Sequence, residues 1–419
     1  MKRINTILFL CSFVCLISAQ AYRTQPVSPE IYTIQVNANG DWSRLPLINL
    51  NGNDYIQISF DRLSDNSFNR LRYRIILCDA SWKANKEMSE IDYLDGFNDN
   101  LIDDYAPSIN TSIEYTHFNV NVPNRDINFK LSGNYVMEVY EEDEPDKTLL
   151  TACFSVLSSQ LNIGSSVSSI TDIDSNKGHQ QLSVTIHHPN LNIRDPYSDL
   201  KVFVQQNNRI DNERQLIKPS FIGGNKITYE HNRDLIFEGG NEYRRFETSS
   251  YRYNGMNVAH IEYNRPGYSM YITPDRVRAD RAYSYDQDQN GRFIVRNKES
   301  NNQNTEADYF TTYFTLAVDE PLKESIYLNG NFTNNTFTDE YKMKYDLEKG
   351  EYQLSLLLKQ GLYNYQYLTQ TAPNKYTPAI IEGNHYETEN EYSIYVYYRP
   401  VGQRYDSLIG FTTIYSRAK

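Results

Sequence analysis

At 419 residues the chain is about three times the length of a usual domain, which favours two or three domains over one. Aromatics make up 13%, led by 36 Tyr, within an apolar share of only 39%. That mixture suits half-buried strands, and the prominence of Asn, Tyr and Thr over Ala, Leu and Glu excludes a helical bundle or coiled coil. A net charge of -12 excludes a nucleic-acid binder, which needs a basic face to release counterions.

The first element is a leader. Met1-Lys2-Arg3 is a positive n-region, Ile4 to Ile17 an apolar run, and Ala19-Gln20-Ala21 a small-residue cleavage site, so residues 1–21 read as a secretory signal peptide. Asn5, Thr6 and Ser12 break the run too often for a membrane span. The residues before Cys11 and Cys15 are not the small ones that precede a lipidated cysteine. The exported chain then starts at Tyr22 and keeps two cysteines, Cys78 and Cys153, both in apolar strand-like runs that suit buried free thiols.

Beyond the leader, period-two alternation dominates. Residues 22–158 form an N-terminal β-sandwich: Ile56, Ile58 and Phe60 share one strand face, and Tyr135, Met137 and Val139 another. The acidic run from Glu141 to Asp146 reads as a solvated hairpin loop. A Ser-rich stretch from Leu157 to Gln181 leads into a middle β-rich domain, 159–308, in which Leu182, Val184 and Ile186 share a face and Tyr and Arg are dense, as in Tyr243-Arg244-Arg245-Phe246 and Tyr251-Arg252-Tyr253. Asp286 to Gly291 matches the opening of a calcium loop, but position twelve is Asn297 instead of a bidentate Glu, so a hairpin turn is expected. After the polar run Asn297 to Asp308, residues 309–419 form a last β-sandwich. Its terminal strand places Tyr392, Ile394, Val396 and Tyr398 on one face and Ser393, Tyr395 and Tyr397 on the other, so both faces can be covered. Gly/Asn turns recur between short strands throughout, so the fold class is all-β, tandem immunoglobulin/fibronectin-like sandwiches.

Hydrolase and phosphate-loop motifs are missing from the sequence, and we expect no enzyme, cofactor or metal. The segments Ile326 to Asn335, Tyr352 to Leu356 and Gly361 to Tyr367 resemble early-set immunoglobulin-like modules, glycogen- and starch-binding domains among them. Those modules stack sugar on an indole after the Asn-Asn pair, where this chain has Thr336. Tyr363, Tyr365 and Tyr367 share a face, which makes a periplasmic carbohydrate-binding protein the alternative reading.

Five segments in order, Arg74 to Trp82, Ser132 to Tyr140, Phe237 to Tyr243, Lys359 to Tyr365 and Glu382 to Tyr392, resemble the type IX secretion system plug protein family of the Bacteroidota. Departures are modest: Leu77 stands where relatives often have His, and Ser81 where they have Asp. The resemblance implies a non-catalytic periplasmic protein at the inner face of the outer membrane. It would bind the periplasmic mouth of the giant β-barrel translocon of the SprA type and occlude its resting pore. No interface residues come with the family. Physical reasoning puts partner-binding anchors on exposed aromatics and arginines in loops, here Trp82, Tyr93, Phe97, Tyr243, Arg244, Arg245 and Phe246.

Overall fold

The computed structural model describes residues 21–63 and 70–417; nearly all of the expected leader lies outside the described residues. Strands take up 48% and helix 5%, which places the chain among all-β folds of antiparallel sheets.

The first sandwich is built on Gly133–Glu141, which lies between Leu71–Cys78 and Glu144–Leu157 in one sheet. The facing sheet runs Ile31–Ala38, Ile56–Arg62, Thr116–Val122 and Tyr105–Pro107. Alternation decides the core: Ile56, Ile58 and Phe60 meet Tyr135, Met137 and Val139, all buried. Both faces of the central strand are covered. Val136, on the outer face, packs with Cys78 and Cys153 beneath Tyr22 and Trp82, and both thiols are free. Burial pushes the Cys153 thiol up to about 12, so it is inert.

Sheet pairing divides the rest of the chain differently from sequence order. Leu200–Gln206 pairs with Glu391–Tyr398, which pairs in turn with Ser407–Tyr415. Those strands close a second sandwich against Asn162–Ser168, His179–His187 and Lys226–Tyr229, with Leu182, Val184, Ile186, Tyr392, Ile394 and Val396 at its centre. The last two strands therefore belong with residues from 161 onward, not with the strands that begin at 309. Between Glu238 and Glu391 a third sandwich is inserted. Arg244–Glu247 pairs with Gly361–Ala372, and the hairpin Val258–Asn264 with Gly267–Ile272 joins Tyr309–Ala317 and Glu351–Lys359. Strands on both sides of the expected boundary at 308 share these sheets, because Tyr268 to Tyr271 lies parallel beside Phe310 to Tyr313.

Candidate functional site

Three junctions hold the sandwiches together, and the five segments that carried the family resemblance supply them. Arg74 to Trp82 and Ser132 to Tyr140 meet the second sandwich. There Ala80, Leu157, Phe203, Tyr397 and Leu408 form an apolar cluster, so the outer face of the terminal strand is covered by the first domain. Tyr397 donates its hydroxyl to Asn134 Oδ1 (2.9 Å), and buried Asp406 accepts from Ala80 N–H and from Lys201 Nζ, each at 2.8 Å.

Phe237 to Tyr243 and Glu382 to Tyr392 are the two crossings into and out of the inserted sandwich, and they run side by side. His385 N–H donates to Gly240 O (2.9 Å), and Asn390 Nδ2 to Gly239 O (2.8 Å). A Cβ at Gly239 would sit 2.2 Å from the His385 carbonyl oxygen, which restricts the position to glycine. Glu382, fully buried, accepts from Arg244 (3.1 Å), Arg278 and Tyr367 N–H (2.8 Å). Burial alone would raise this carboxyl, but the two guanidiniums hold it below the usual carboxylate range.

Lys359 to Tyr365 meets the first sandwich through one buried charge pair. Asp61, on Ile56–Arg62, receives Lys359 Nζ, Tyr309 OH and His117 Nδ1, each at 2.6 Å, and Asp61 and Lys359 are at most 1% exposed. Burial opposes the charge on Asp61, yet Lys359 and His117 hold its carboxyl below its ordinary range.

Of the expected anchors, only Phe97 stands free in solvent, at 69% exposure. Trp82 is half-buried over the thiol cluster. Tyr93 lies in the first core, its hydroxyl directed at Ile75 O, and Phe246 is central to the third core. Tyr243 is buried and accepts from Gln366 Nε2, while Arg244 is committed to Glu382 and Asp275. Arg245 is half-buried and pairs with Asp286. Tyr93, Tyr243, Arg244 and Phe246 are therefore packing and junction residues, not loop anchors. Tyr363, Tyr365 and Tyr367 are also core, at most 1% exposed, so they offer sugar no face.

A cluster of exposed aromatics lies instead on the inserted sandwich. Tyr251, Tyr253 and Tyr263 are 37%, 49% and 56% exposed. Tyr251 and Tyr263 both pack on Tyr268, with centroids 5.3 and 4.9 Å apart. On the outer face of the hairpin His260, Tyr271 and Tyr313 stack in a ladder with spacings of 4.1 and 4.7 Å. Exposed Tyr and Arg side chains, here in the loop that leads into the hairpin, are what interface anchors require. The density of Tyr251-Arg252-Tyr253 was the sequence signal for it.

Asp286 to Gly291 is a turn entering Phe293–Val295, not a hairpin between paired strands. Asp288 accepts the N–H groups of Tyr243 and Asn290, so protein donors take up its oxygens. Burial, with Glu242 nearby, pushes its carboxyl up to about 7. Among the described residues no group of three or more His, Cys, Asp or Glu side chains is placed to hold a metal ion.

A model of the first domain of type 9 secretion system plug proteins matches residues 31–158, the span of the first sandwich. The fold is similar to a crystal structure, at 2.30 Å, of a hypothetical protein from Parabacteroides merdae ATCC 43184, with a TM-score of 0.92 and 46% sequence identity over 94% of this chain and 100% of that one. Comparison with curated proteins returned no match.

Proposed function

Because this chain belongs to the type 9 secretion system plug protein family, we propose that it is a non-catalytic periplasmic plug. It binds the periplasmic mouth of a giant outer-membrane β-barrel translocon of the SprA type and occludes the pore at rest. The observation that carries this reading is the family match over the whole first sandwich. The architecture supports it. Three sandwiches tied by a buried ion pair, an apolar cluster and a double crossing make a stiff body, and steric occlusion needs stiffness more than a reactive group. No described helix is long and apolar enough to cross a membrane. Release on cargo arrival needs only different affinities for two channel states.

The contact face is the exposed aromatics Tyr251 and Tyr253, in the loop before the hairpin, and Tyr263 on it, with Phe97 a second point on the first sandwich. The test is recovery of the barrel from detergent-solubilised outer membranes on the tagged protein. Wild type retains a very large barrel as its main partner, and a Tyr251→Ala/Tyr253→Ala/Tyr263→Ala variant loses at least about tenfold of it, as expected when several aromatic anchors go. If no barrel is enriched, the plug reading falls. If the variant retains it fully, the contact face is another one.

A further inference from the structure

The cleft where all three sandwiches meet contains chemistry that the plug reading does not use. Its walls come from Ile31–Ala38 and the following loop of the first domain, from the segment after Leu200–Gln206 in the second, and from Arg292 and the Asn331 to Asn335 loop of the third, enclosing about 190 Å³.

The chain has two tryptophans, and both Trp42 and Trp82 line this one cleft, each half-buried. Trp82 sits there with φ at 63°, in the left-handed region that bulky side chains rarely adopt. A turn enforces it: Asp79 Oδ1 accepts from the N–H groups of Ser81 (2.8 Å) and Lys83 (3.0 Å). Backbone strain of this kind persists where surrounding structure over-determines it, and here it keeps an indole half out of the core.

Around the indoles the polar lining includes the side-chain amides of Gln35, Asn208, Asn331, Asn334 and Asn335. Asn208 donates to Glu391 (3.3 Å), and Asn335 accepts from Asn329 (3.0 Å) and donates to Asn331 (3.4 Å). Asn208, Asn334 and Asn335 stand at loop tips with φ of 56°, 52° and 51°. Charge in the cleft is already matched within the protein. Arg292 donates to Glu391 at 2.8 and 3.0 Å, and Arg44 to Asp54 at 3.4 Å. Gln205 Nε2 donates to Glu213 (2.6 Å), whose carboxyl burial pushes above its ordinary range.

Flat indole faces bury sugar C–H groups, and an amide presents a donor and an acceptor side by side, matching paired hydroxyls. A charged ligand would meet no opposite charge that is not already engaged. A peptide strand would need an open sheet edge. The edge strand Ile31–Ala38 carries a bulge between Tyr32 and Gln35, with Thr33 at φ 51°, which interrupts the row of backbone groups that a peptide would pair with.

We propose that this junction cleft binds a neutral oligosaccharide, with Trp42 and Trp82 carrying the ring contacts and the amides of Gln35 and Asn334 the hydroxyls. The site does not rest on the translocon reading. It is also distinct from the Tyr363 face, which is core.

With both tryptophans of the chain in the cleft, intrinsic fluorescence reports on it. The test is to place the purified protein on an array of neutral and acidic glycans, then to titrate tryptophan emission with the best neutral binder, with maltohexaose, cellohexaose and mannohexaose alongside. We expect a saturable change in emission. Trp42→Ala and Trp82→Ala each weaken binding about tenfold, and Asn334→Ala weakens it severalfold. Leu347→Ala, exposed and outside the cleft, leaves binding unchanged. If Trp82→Ala does not fold, Trp42→Ala and Asn334→Ala carry the test, with circular dichroism as the control. The proposal is overturned if no neutral glycan changes the emission, if the Trp42→Ala/Asn334→Ala variant binds as wild type does, or if acidic glycans or peptides are the preferred occupants.

Discussion

The first sandwich meets its two neighbours with different balances of apolar and polar contact. Against the second it uses Phe203, Tyr397, Leu408, Leu157 and Ala80, an apolar cluster whose contribution is non-directional and roughly proportional to area. Against the inserted one it uses buried polar groups: Lys359 Nζ and Tyr309 OH donate to Asp61, which His117 of the same sandwich also holds, and the Ser112 and Ile113 N–H groups donate to Asp308. Removing two charges from water offsets most of what their attraction returns, so such a pair adds little net stability. What it adds is orientation, because any other placement of the third sandwich leaves a charge buried without its partner.

The strongest way to break the comparison is Asp61→Asn, which leaves the Lys359 ammonium buried without its counter-charge. We expect a loss of about 3–5 kcal/mol in urea unfolding, mostly recovered in Asp61→Asn/Lys359→Met. A wild-type midpoint for the single variant would show that this junction is not a lock. Next comes Leu408→Ala in the apolar junction, with a loss of about 2–4 kcal/mol that is the same at pH 5 and pH 8, since no titrating group is removed.

Acid sharpens the contrast. The Asp61 carboxyl is depressed in the folded state, so its stabilisation is full above the ordinary carboxylate range and is lost as pH falls through the folded value. Limited proteolysis on an acid series should therefore release the inserted sandwich before the first two separate, and simultaneous release would count against the assignment. Asp288 runs the other way. Its folded value of about 7 lies above the ordinary 3.8, so its contribution is complete below the latter and is lost as pH rises to the former. Stability measured from pH 4 to pH 8 should fall less in Asp288→Asn than in wild type. The smallest effect is expected for Arg245→Ala, whose pair with Asp286 is open to solvent on the carboxylate side: at most about 1 kcal/mol by thermal denaturation, reduced further by salt.

The strand faces were legible in the sequence. Ile56, Ile58 and Phe60, or Tyr392, Ile394 and Val396, show their buried side by alternation alone, because the pleat repeats every two residues whatever the strand pairs with. Both faces of the terminal strand are covered as expected, although by the second core on one side and the first domain on the other. The anchors were less legible. Tyr243-Arg244-Arg245-Phe246 looks like surface because arginine is rarely buried alone. It becomes interior once Glu382, 138 positions away, and Asp275 close around Arg244. Tyr251 and Tyr253 have the same composition and remain outside. Nothing local separates the two segments.

By itself, then, the sequence determined an all-β chain of sandwiches, the inward side of its strands, and its likeness to the plug protein family. The tertiary structure alone decided that the last strands return to the second sandwich around an inserted third, which aromatics face solvent, and that both tryptophans share one cleft. The reason is physical. Side-chain direction follows from local backbone geometry, whereas the choice of pairing partner depends on closing loops of up to some 190 residues between strands such as Leu200–Gln206 and Glu391–Tyr398, a cost that grows only slowly with length. Local pattern fixes the face of a strand, and the contacts at the three junctions select its partner.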